Sequence, residues 1–179
     1  MAITRIGGAT AITGTLPDTN INNASLDNVT GLPAAIATGK VLQVVSVSTA
    51  TQSASSSSTY ADVTSLVAAI TPSATSSKIY IDVAVTGVGK EVNNTFVMLK
   101  MLRNDGFIFH IDNLAGLNGV SGTNYIGTVT SNFLDSPSST SSVSYKVQLA
   151  SGNNNSYAYV NRPNGGSPTS TITLMEIGA

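Results

Sequence analysis

The sequence contains no cysteine and no tryptophan, and only 9% of its 179 residues are charged. Without cysteine, disulfides and thiolate zinc sites are excluded, so any robustness must come from packing and from association between copies. A globular domain usually carries about 25% charged residues. In this sequence the missing charged residues are replaced by serine, threonine, asparagine and glycine. Such a composition suits β-structure, especially strands that pack against other copies.

Basic residues are too few and too dispersed for a nucleic-acid partner. The eight lysines and arginines lie singly, and the net charge is −1. Nucleic-acid binding requires a concentrated basic patch, so we expect no such partner. The first residues do not combine a basic start with a long apolar run, as a secretory signal does. No stretch reaches about 18 consecutive apolar residues, so we expect no membrane insertion.

Residues that could carry catalysis are scattered. His110 is the only histidine, and the alternation along its predicted strand indicates a surface or interface position. Asp105 and Asp112 flank that strand and would meet only if it curled, whereas hydrolytic carboxylate pairs lie about 5–9 Å apart. No Gly-x-Ser-x-Gly elbow, P-loop or dinucleotide fingerprint follows a strand. We therefore expect no enzyme activity, no cofactor and no metal site.

Residues 1–39 are predicted to form an extended N-terminal arm. Glycine and proline interrupt each helical pattern in this segment, yet aliphatic residues recur along it. A solvated linker does not need them, so we expect an arm that packs on sister copies or on a larger assembly; a flexible tail is the alternative. The aliphatic residues assigned to docking and oligomerisation are Ile12, Leu16, Ile21, Leu26, Val29, Leu32 and Ile36.

Residues 40–179 are predicted to form an all-β body. Strict alternation over residues 78–87 directs Ile79, Ile81, Val83 and Val85 to one face. Residues 95–103 are apolar on both faces, and the sequence Asn104-Asp105-Gly106 predicts a hairpin turn after them. About nine strands, separated by turn signals, favour an antiparallel, jelly-roll-like β-sandwich.

Two stretches of the body are harder to assign. Residues 49–59 are rich in serine and threonine and are expected to form a polar loop. Residues 60–70 are interpreted as a strand or a short irregular element with Val63, Leu66 and Ile70 directed inward. This element should end before Pro72, because the residue that precedes a proline is pushed away from helical geometry.

Tyr157, Tyr159 and Asn161 form a candidate glycan-binding group beside an asparagine-rich loop at residues 152–155. Aromatic rings can stack on a sugar face while amides bond its hydroxyl groups. The alternative is that the two tyrosines, two residues apart, lie on one face of a strand and pack at an interface. Both interpretations remain open on the sequence alone.

Several segments resemble virion proteins of tailed phages, particularly those of marine and cyanobacterial hosts. The resemblance to their N-terminal segments lies in MAITRIGGATAITGTLPDTNINNASLDNVTGLPAAIATGKVLQVV. The resemblance to their end domain lies in TPSATSSKIYIDV, FLDSPSSTSSVSYKVQLAS, YVNRPNGGSPTSTITLMEI and the terminal Gly178-Ala179. The match covers most of the chain, is weakest over residues 88–123 and involves no catalytic residues.

This resemblance implies a trimeric virion component with a β-sandwich body, assembled in the host cytoplasm. We expect a short tail-fibre-type, receptor-binding subunit. Its expected partners are two further copies of the chain, other tail or capsid proteins of the virion, and a host surface glycan. A capsid-decoration (cement) protein that stabilises the head is the close alternative. A carbohydrate-active enzyme on a β-sandwich is less favoured, because paired carboxylates and histidines are missing.

Overall fold

The computed structural model describes residues 40–116 and 125–178, which contain ten β-strands and no helix. The strands are β1 (Val41–Thr49), β2 (Ser53–Ser55), β3 (Ala61–Ile70), β4 (Lys78–Lys90), β5 (Val97–Arg103), β6 (Gly106–Ala115), β7 (Tyr125–Asp135), β8 (Val143–Ser151), β9 (Ala158–Val160) and β10 (Ser170–Ile177). Within the described residues, no helix is long and apolar enough to cross a membrane. The predicted arm, residues 1–39, lies outside the described residues together with its docking side chains.

The strands form two antiparallel sheets, which confirms the predicted all-β sandwich. Sheet A has the order β1-β10-β4-β7, with β9 paired to the last residues of β4 and β2 paired to β9. Sheet B has the order β3-β8-β5-β6. Apolar side chains from both sheets meet in one buried cluster, which forms the core between them.

Strand β4 runs through the middle of sheet A. The predicted alternation is confirmed, because Ile79, Ile81, Val83 and Val85 are all fully buried. One edge of β4 pairs with β10 and then, near its end, with β9, while the other edge pairs with β7. Its 13 residues span roughly 40 Å at the usual rise of a strand.

One local prediction is corrected and another is confirmed. The serine-rich stretch 49–59 is not a loop throughout, because Ser53–Ser55 pairs with β9 as strand β2. The predicted hairpin after β5 is present: its two turn residues are Asn104 and Asp105, which have φ angles of 46° and 68°, and Gly106 begins β6. Two successive positive φ angles are typical of the type I′ turn that suits the twist of a hairpin.

Strand β3 resolves the ambiguity over residues 60–70. Val63, Leu66 and Ile70 are buried, as predicted. The pairing with β8 is interrupted between Asp62 and Val67, where Ser65 has a φ of 60°. This irregularity explains why the strand does not show simple alternation, since a bulge changes which residues face the core.

Glu176, a buried residue near the end of β10, is the centre of a cluster of polar side chains. Its carboxylate accepts hydrogen bonds from the hydroxyls of Ser73 (2.6 Å) and Ser77 (2.7 Å) and from the amide of Gln43 (2.7 Å). Burial would raise the pKa of Glu176, but these hydrogen bonds outweigh it and lower the pKa to about 2. Glu176 is therefore an ionised, fully hydrogen-bonded group within a mostly apolar strand.

Asp135 forms a second buried polar cluster between the sheets. Its carboxylate accepts hydrogen bonds from the guanidinium of Arg103 at 2.9 Å and from the hydroxyl of Tyr145 at 2.7 Å. Burial and the hydrogen bond to Asp135 raise the pKa of Tyr145 well above its ordinary value. Tyr145 therefore keeps its proton at neutral pH and donates it to Asp135.

Candidate functional site

The two ends of sheet A hold different parts of the chain. At one end, Ile177 of β10 pairs with both Val41 and Lys78, and the N–H of Gly178 donates to the carbonyl of Lys40 at 2.9 Å. We call this the Lys40 end. At the opposite end of β4, Gly89 pairs with Tyr125 on one side and Tyr159 on the other, and we call this the Tyr125 end.

Four side chains stack in series at the Tyr125 end. The rings of Tyr157 and Tyr159 are 5.9 Å apart and nearly parallel. The guanidinium carbon of Arg162 lies 4.4 Å from the ring centre of Tyr159 and 5.0 Å from that of Tyr125. We call these four residues the tyrosine–arginine ladder; such cation–π contacts are favourable and hold both partners in place.

The local sequence explains why the ladder forms. Ala158 and Val160 are buried, so alternation directs Tyr159 outward. Gly89 lies between Tyr125 and Tyr159 in the sheet and has no side chain. The guanidinium of Arg162 lies between the rings of these two tyrosines. Arg162 also donates to the carbonyl of Lys90 at 2.9 Å, and Tyr125 donates its hydroxyl to the carbonyl of Pro163 at 3.0 Å.

The hydroxyl of Tyr159 remains protonated at neutral pH. Burial and the carboxylate of Glu91 raise its pKa, whereas the guanidinium of Arg162 lowers it by a smaller amount. The ladder therefore combines three aromatic rings and one guanidinium group in a single stack at the Tyr125 end.

Asn161 does not join the tyrosines at the surface, although the sequence grouped all three. It is buried, and its amide nitrogen donates to the carbonyls of Thr49 (3.0 Å) and Thr51 (3.1 Å). Its amide oxygen accepts from the hydroxyl of Ser170 at 2.6 Å. These bonds hold Asn161 inside the protein, so its amide faces away from any surface ligand.

A shallow pocket of about 390 Å³ lies beside the ladder. Its lining residues are Gly87, Tyr125, Arg162, Asn164, Gly166, Ser167 and Pro168. Gly87 has a φ of 56°, and a Cβ at this position would lie 2.8 Å from the backbone nitrogen of Arg162 and closer still to the ring of Pro168. The pocket therefore needs glycine at position 87, both for the backbone angle and for the close approach.

A different surface occupies the outer face of sheet A at the Lys40 end. Met175 pairs with Val44 on one side and Tyr80 on the other, and Tyr80 pairs with Leu134. Directly paired residues project to the same face, so these four apolar side chains form a row across four strands. Together with the next directly paired residues, Val41 and Ile177, they make up what we call the outer apolar patch, which consists of Val41, Val44, Tyr80, Leu134, Met175 and Ile177.

The patch is exposed and sharply bounded. Val44 and Leu134, at its two edges, are 56% and 55% exposed. The adjacent row across the same strands is polar and consists of Ser46, Thr173, Asp82 and Asn132. A contiguous exposed apolar patch with a polar border is typical of an interaction site.

The predicted surface position of His110 agrees with the structure. His110 is exposed on β6, and its ring lies 4.9 Å from that of Phe107. Asp105 and Asp112, which flank the predicted strand, bond elsewhere: Asp105 pairs with Lys146 at 2.7 Å, and Asp112 accepts from the N–H of Leu114 at 2.8 Å. In the described ranges no group of three His, Cys, Asp or Glu side chains could hold a metal ion.

Comparison with known proteins finds no protein family and no curated protein that matches this chain. Its function must therefore be argued from the two surfaces of sheet A. Sequence reasoning found Tyr157 and Tyr159 but missed Tyr125 and Arg162. Only the pairing of Gly89 with both Tyr125 and Tyr159 brings these distant residues together, and no local pattern in the sequence indicates that pairing.

Proposed function

We propose that the protein is a structural subunit of a tailed-phage virion, assembled in the host cytoplasm as a homotrimer, and that it serves as a short tail-fibre-type, receptor-binding protein. The observation that carries this proposal is the separation of two surfaces along sheet A. An exposed apolar patch lies at the Lys40 end, in the row of Tyr80, and a ladder of aromatic rings lies beside Gly89, nine residues further along β4, which is about 30 Å away.

The outer apolar patch supports association through the Lys40 end. The row is exposed at its two edges, Val44 and Leu134, and half-buried at Met175 and Tyr80. Contiguous apolar surface of this kind often marks an interaction site. The residues of the patch are uncharged, and so are all nine residues of β1, at the edge of sheet A. Lys78, which pairs with Ile177 at the border of the patch, donates to the hydroxyl of Ser136 at 2.7 Å. Other copies of the chain are suitable partners, because the apolar side chains of the patch can be buried without desolvating a charge of their own.

We also propose that the sandwich is a jelly roll, and the order of its strands supports this. Leaving out the short strands β2 and β9, the order β1-β10-β4-β7 in one sheet faces β3-β8-β5-β6 in the other. The first strand pairs with the last, and successive long strands alternate between the sheets except at β5 and β6, which pair as a hairpin in sheet B. This order is that of two Greek keys in one double sheet. Residues 1–39, proposed to dock on tail proteins, join this body at Lys40.

A capsid-decoration (cement) protein is the second candidate. The outer apolar patch favours it as well, because a cement subunit must bind a neighbouring surface firmly on one side. The two candidates differ in where the subunit lies on the particle. A tail fibre needs the ladder for its receptor, whereas a cement protein has no use for it.

Imaging of the particle tests the proposal. Virions of the encoding phage would be labelled with antibody-gold raised against residues 40–179 and imaged, and a cryo-EM map would locate the sandwich. Label at the tail tip supports the fibre, and density over the capsid three-fold axes identifies a cement protein. Tailed particles that carry no copies of the chain would overturn both candidates.

The proposed arm has a separate test. Replacing Leu26, Val29 and Leu32 by serine should reduce incorporation into particles while the body keeps its thermal stability. The matched control replaces Thr19, Thr30 and Thr38 of the same segment by serine and should leave incorporation unchanged. If the Leu26, Val29 and Leu32 variant is incorporated as well as the wild type, the arm has no docking role.

A further inference from the structure

We propose that the pocket beside the tyrosine–arginine ladder is a saccharide subsite. It takes one pyranose ring of an oligosaccharide against Tyr125 and Pro168, and the next sugar units lie along Tyr159 and Tyr157. The biological partner rests on the proposed receptor-binding function, whereas the binding itself is a property of the isolated protein and can be measured without a particle.

Tyr125 and Pro168 supply the apolar contact. Tyr125 is 37% exposed and lines the pocket together with Pro168. One face of a pyranose ring presents C–H groups, which are apolar and slightly positive. Such a face packs favourably on an aromatic ring, whose face is negative.

Asn164 and Ser167 supply the polar contacts. Both line the pocket and are exposed. Within the described part of the chain, neither side chain forms a hydrogen bond to another residue. An amide and a hydroxyl can each donate and accept, so they match sugar hydroxyl groups, which also do both. Two apolar ring surfaces and a few convergent polar groups are the usual composition of a small-ligand site.

The dimensions fit a sugar chain better than a compact ligand. The volume of about 390 Å³ is near the lower limit of ligand pockets, roughly 300–1,000 Å³, and the pocket is shallow. A single ring fits it, and the exposed ring of Tyr157 (43% exposed) continues the stacking surface outside it. A linear oligosaccharide can occupy both the pocket and this extension.

The site is pre-formed. Asn161 and Arg162 bond through their backbone N–H groups to the carbonyls of Thr86 and Gly87, at 2.9 Å each, which fixes the start of the pocket loop on β4. Ordering a loop on binding costs free energy, and a loop that is already ordered avoids that cost. The ladder also lies at the opposite end of sheet A from the outer apolar patch, so copies that associate through the patch leave the pocket open to a ligand.

The test is direct binding of the full chain to a glycan panel. The panel contains neutral hexose, N-acetylhexosamine and hexuronate oligosaccharides, and hits are confirmed by saturation-transfer NMR and calorimetry. We expect at least one class to bind. Tyr125→Ala and Asn164→Ala should each weaken the Kd roughly tenfold, and Tyr157→Ala with Tyr159→Ala should weaken binding of longer chains more than of monosaccharides.

Phe107→Ala is the matched control, because Phe107 is an exposed aromatic residue (56%) on the other sheet, and it should leave the Kd unchanged. Asn164→Ala removes no hydrogen bond to a described residue, so its effect on binding cannot be attributed to misfolding. The proposal is overturned if no panel member binds, if Tyr125→Ala and Asn164→Ala bind as the wild type does, or if the ladder variants change the sedimentation of the protein instead. A tail-tip location with no glycan binding would refute the subsite alone, and glycan binding without virion location would refute the proposed function alone.

Discussion

The amide oxygen of Asn161 accepts a 2.6 Å hydrogen bond from the hydroxyl of Ser170, at the point where β10 begins. The amide nitrogen of the same side chain bonds two carbonyls at the end of β1. One buried amide therefore ties together the ends of two strands of sheet A and holds the loop that starts with Arg162. The stability of the sheet and the shape of the pocket depend on the same residue.

Removal of this amide should destabilise the protein. Asn161→Ala leaves two carbonyls and a hydroxyl without their partner, and we expect a loss of about 3 kcal/mol in the free energy of unfolding. Asn161→Gly should cost about 1 kcal/mol less, because the φ of 54° at this position is free of strain in glycine. The control is Asn164→Ala, at an exposed position three residues later, which should change the free energy of unfolding by less than about 0.5 kcal/mol. Denaturant titrations measure all three.

Acid should destabilise the protein through Glu176. Its pKa is about 2 in the folded state, against an ordinary value of 4.5. Between these two values the unfolded chain binds the proton and the folded chain does not, so the stabilisation is present above about pH 4.5 and is lost as the pH falls toward 2.

The comparison of Glu176→Gln with the wild type isolates this effect. We expect the variant to be less stable at pH 7, by about 1–3 kcal/mol, and to lose less stability between pH 5 and 2. Thermal denaturation at several pH values measures both quantities. Parallel pH profiles for the two proteins would show that Glu176 is not the group responsible.

The hydroxyl of Tyr145 should stabilise the core through Asp135. Tyr145→Phe removes a 2.7 Å hydrogen bond to a buried carboxylate and should reduce the free energy of unfolding by about 1–2 kcal/mol. Tyr80→Phe is the matched control, since the ring of Tyr80 lies on the outer face of sheet A. Equal stabilities for the two variants would contradict a role for this hydrogen bond.

The outer apolar patch should control self-association. Val44→Ser with Leu134→Ser places two hydroxyls in the proposed contact, so the proposed oligomer should dissociate at protein concentrations at least tenfold higher than for the wild type. Both side chains are more than half exposed, so the thermal midpoint of the dissociated subunit should change little. Thr130→Ser, on the same strand and face as Leu134, should leave association unchanged. Sedimentation velocity over a concentration series measures the self-association of each protein.

Local patterns predicted the parts of the fold that follow from alternation. The alternating apolar residues of β4 all lie on its buried face, as predicted. Val63, Leu66 and Ile70 are also buried, although the pairing of β3 is irregular. The strand β2 could not be predicted, because Ser53–Ser55 has little strand propensity of its own and becomes a strand only by pairing with β9.

The candidate site was predicted only in part, for a similar reason. Tyr157 and Tyr159 are neighbours in the sequence, and their spacing indicated a shared face. Tyr125 joins them through the pairing of β4 with both β7 and β9, which is a long-range contact. The burial of Asn161 was also hidden, because an asparagine beside a loop is usually exposed, and only its positive φ and its buried partners direct it inward.

The bond between the carbonyl of Lys40 and the N–H of Gly178 means that both ends of the described chain leave sheet A at the same end. A subunit held there and pulled by a ligand at the ladder would be loaded along its strands. The backbone hydrogen bonds that join β1 to β10 run across that direction. Tension would therefore shear all the bonds of the pair at once rather than open them one after another, so the sandwich should resist mechanical extension in this direction far better than peeling from its edge.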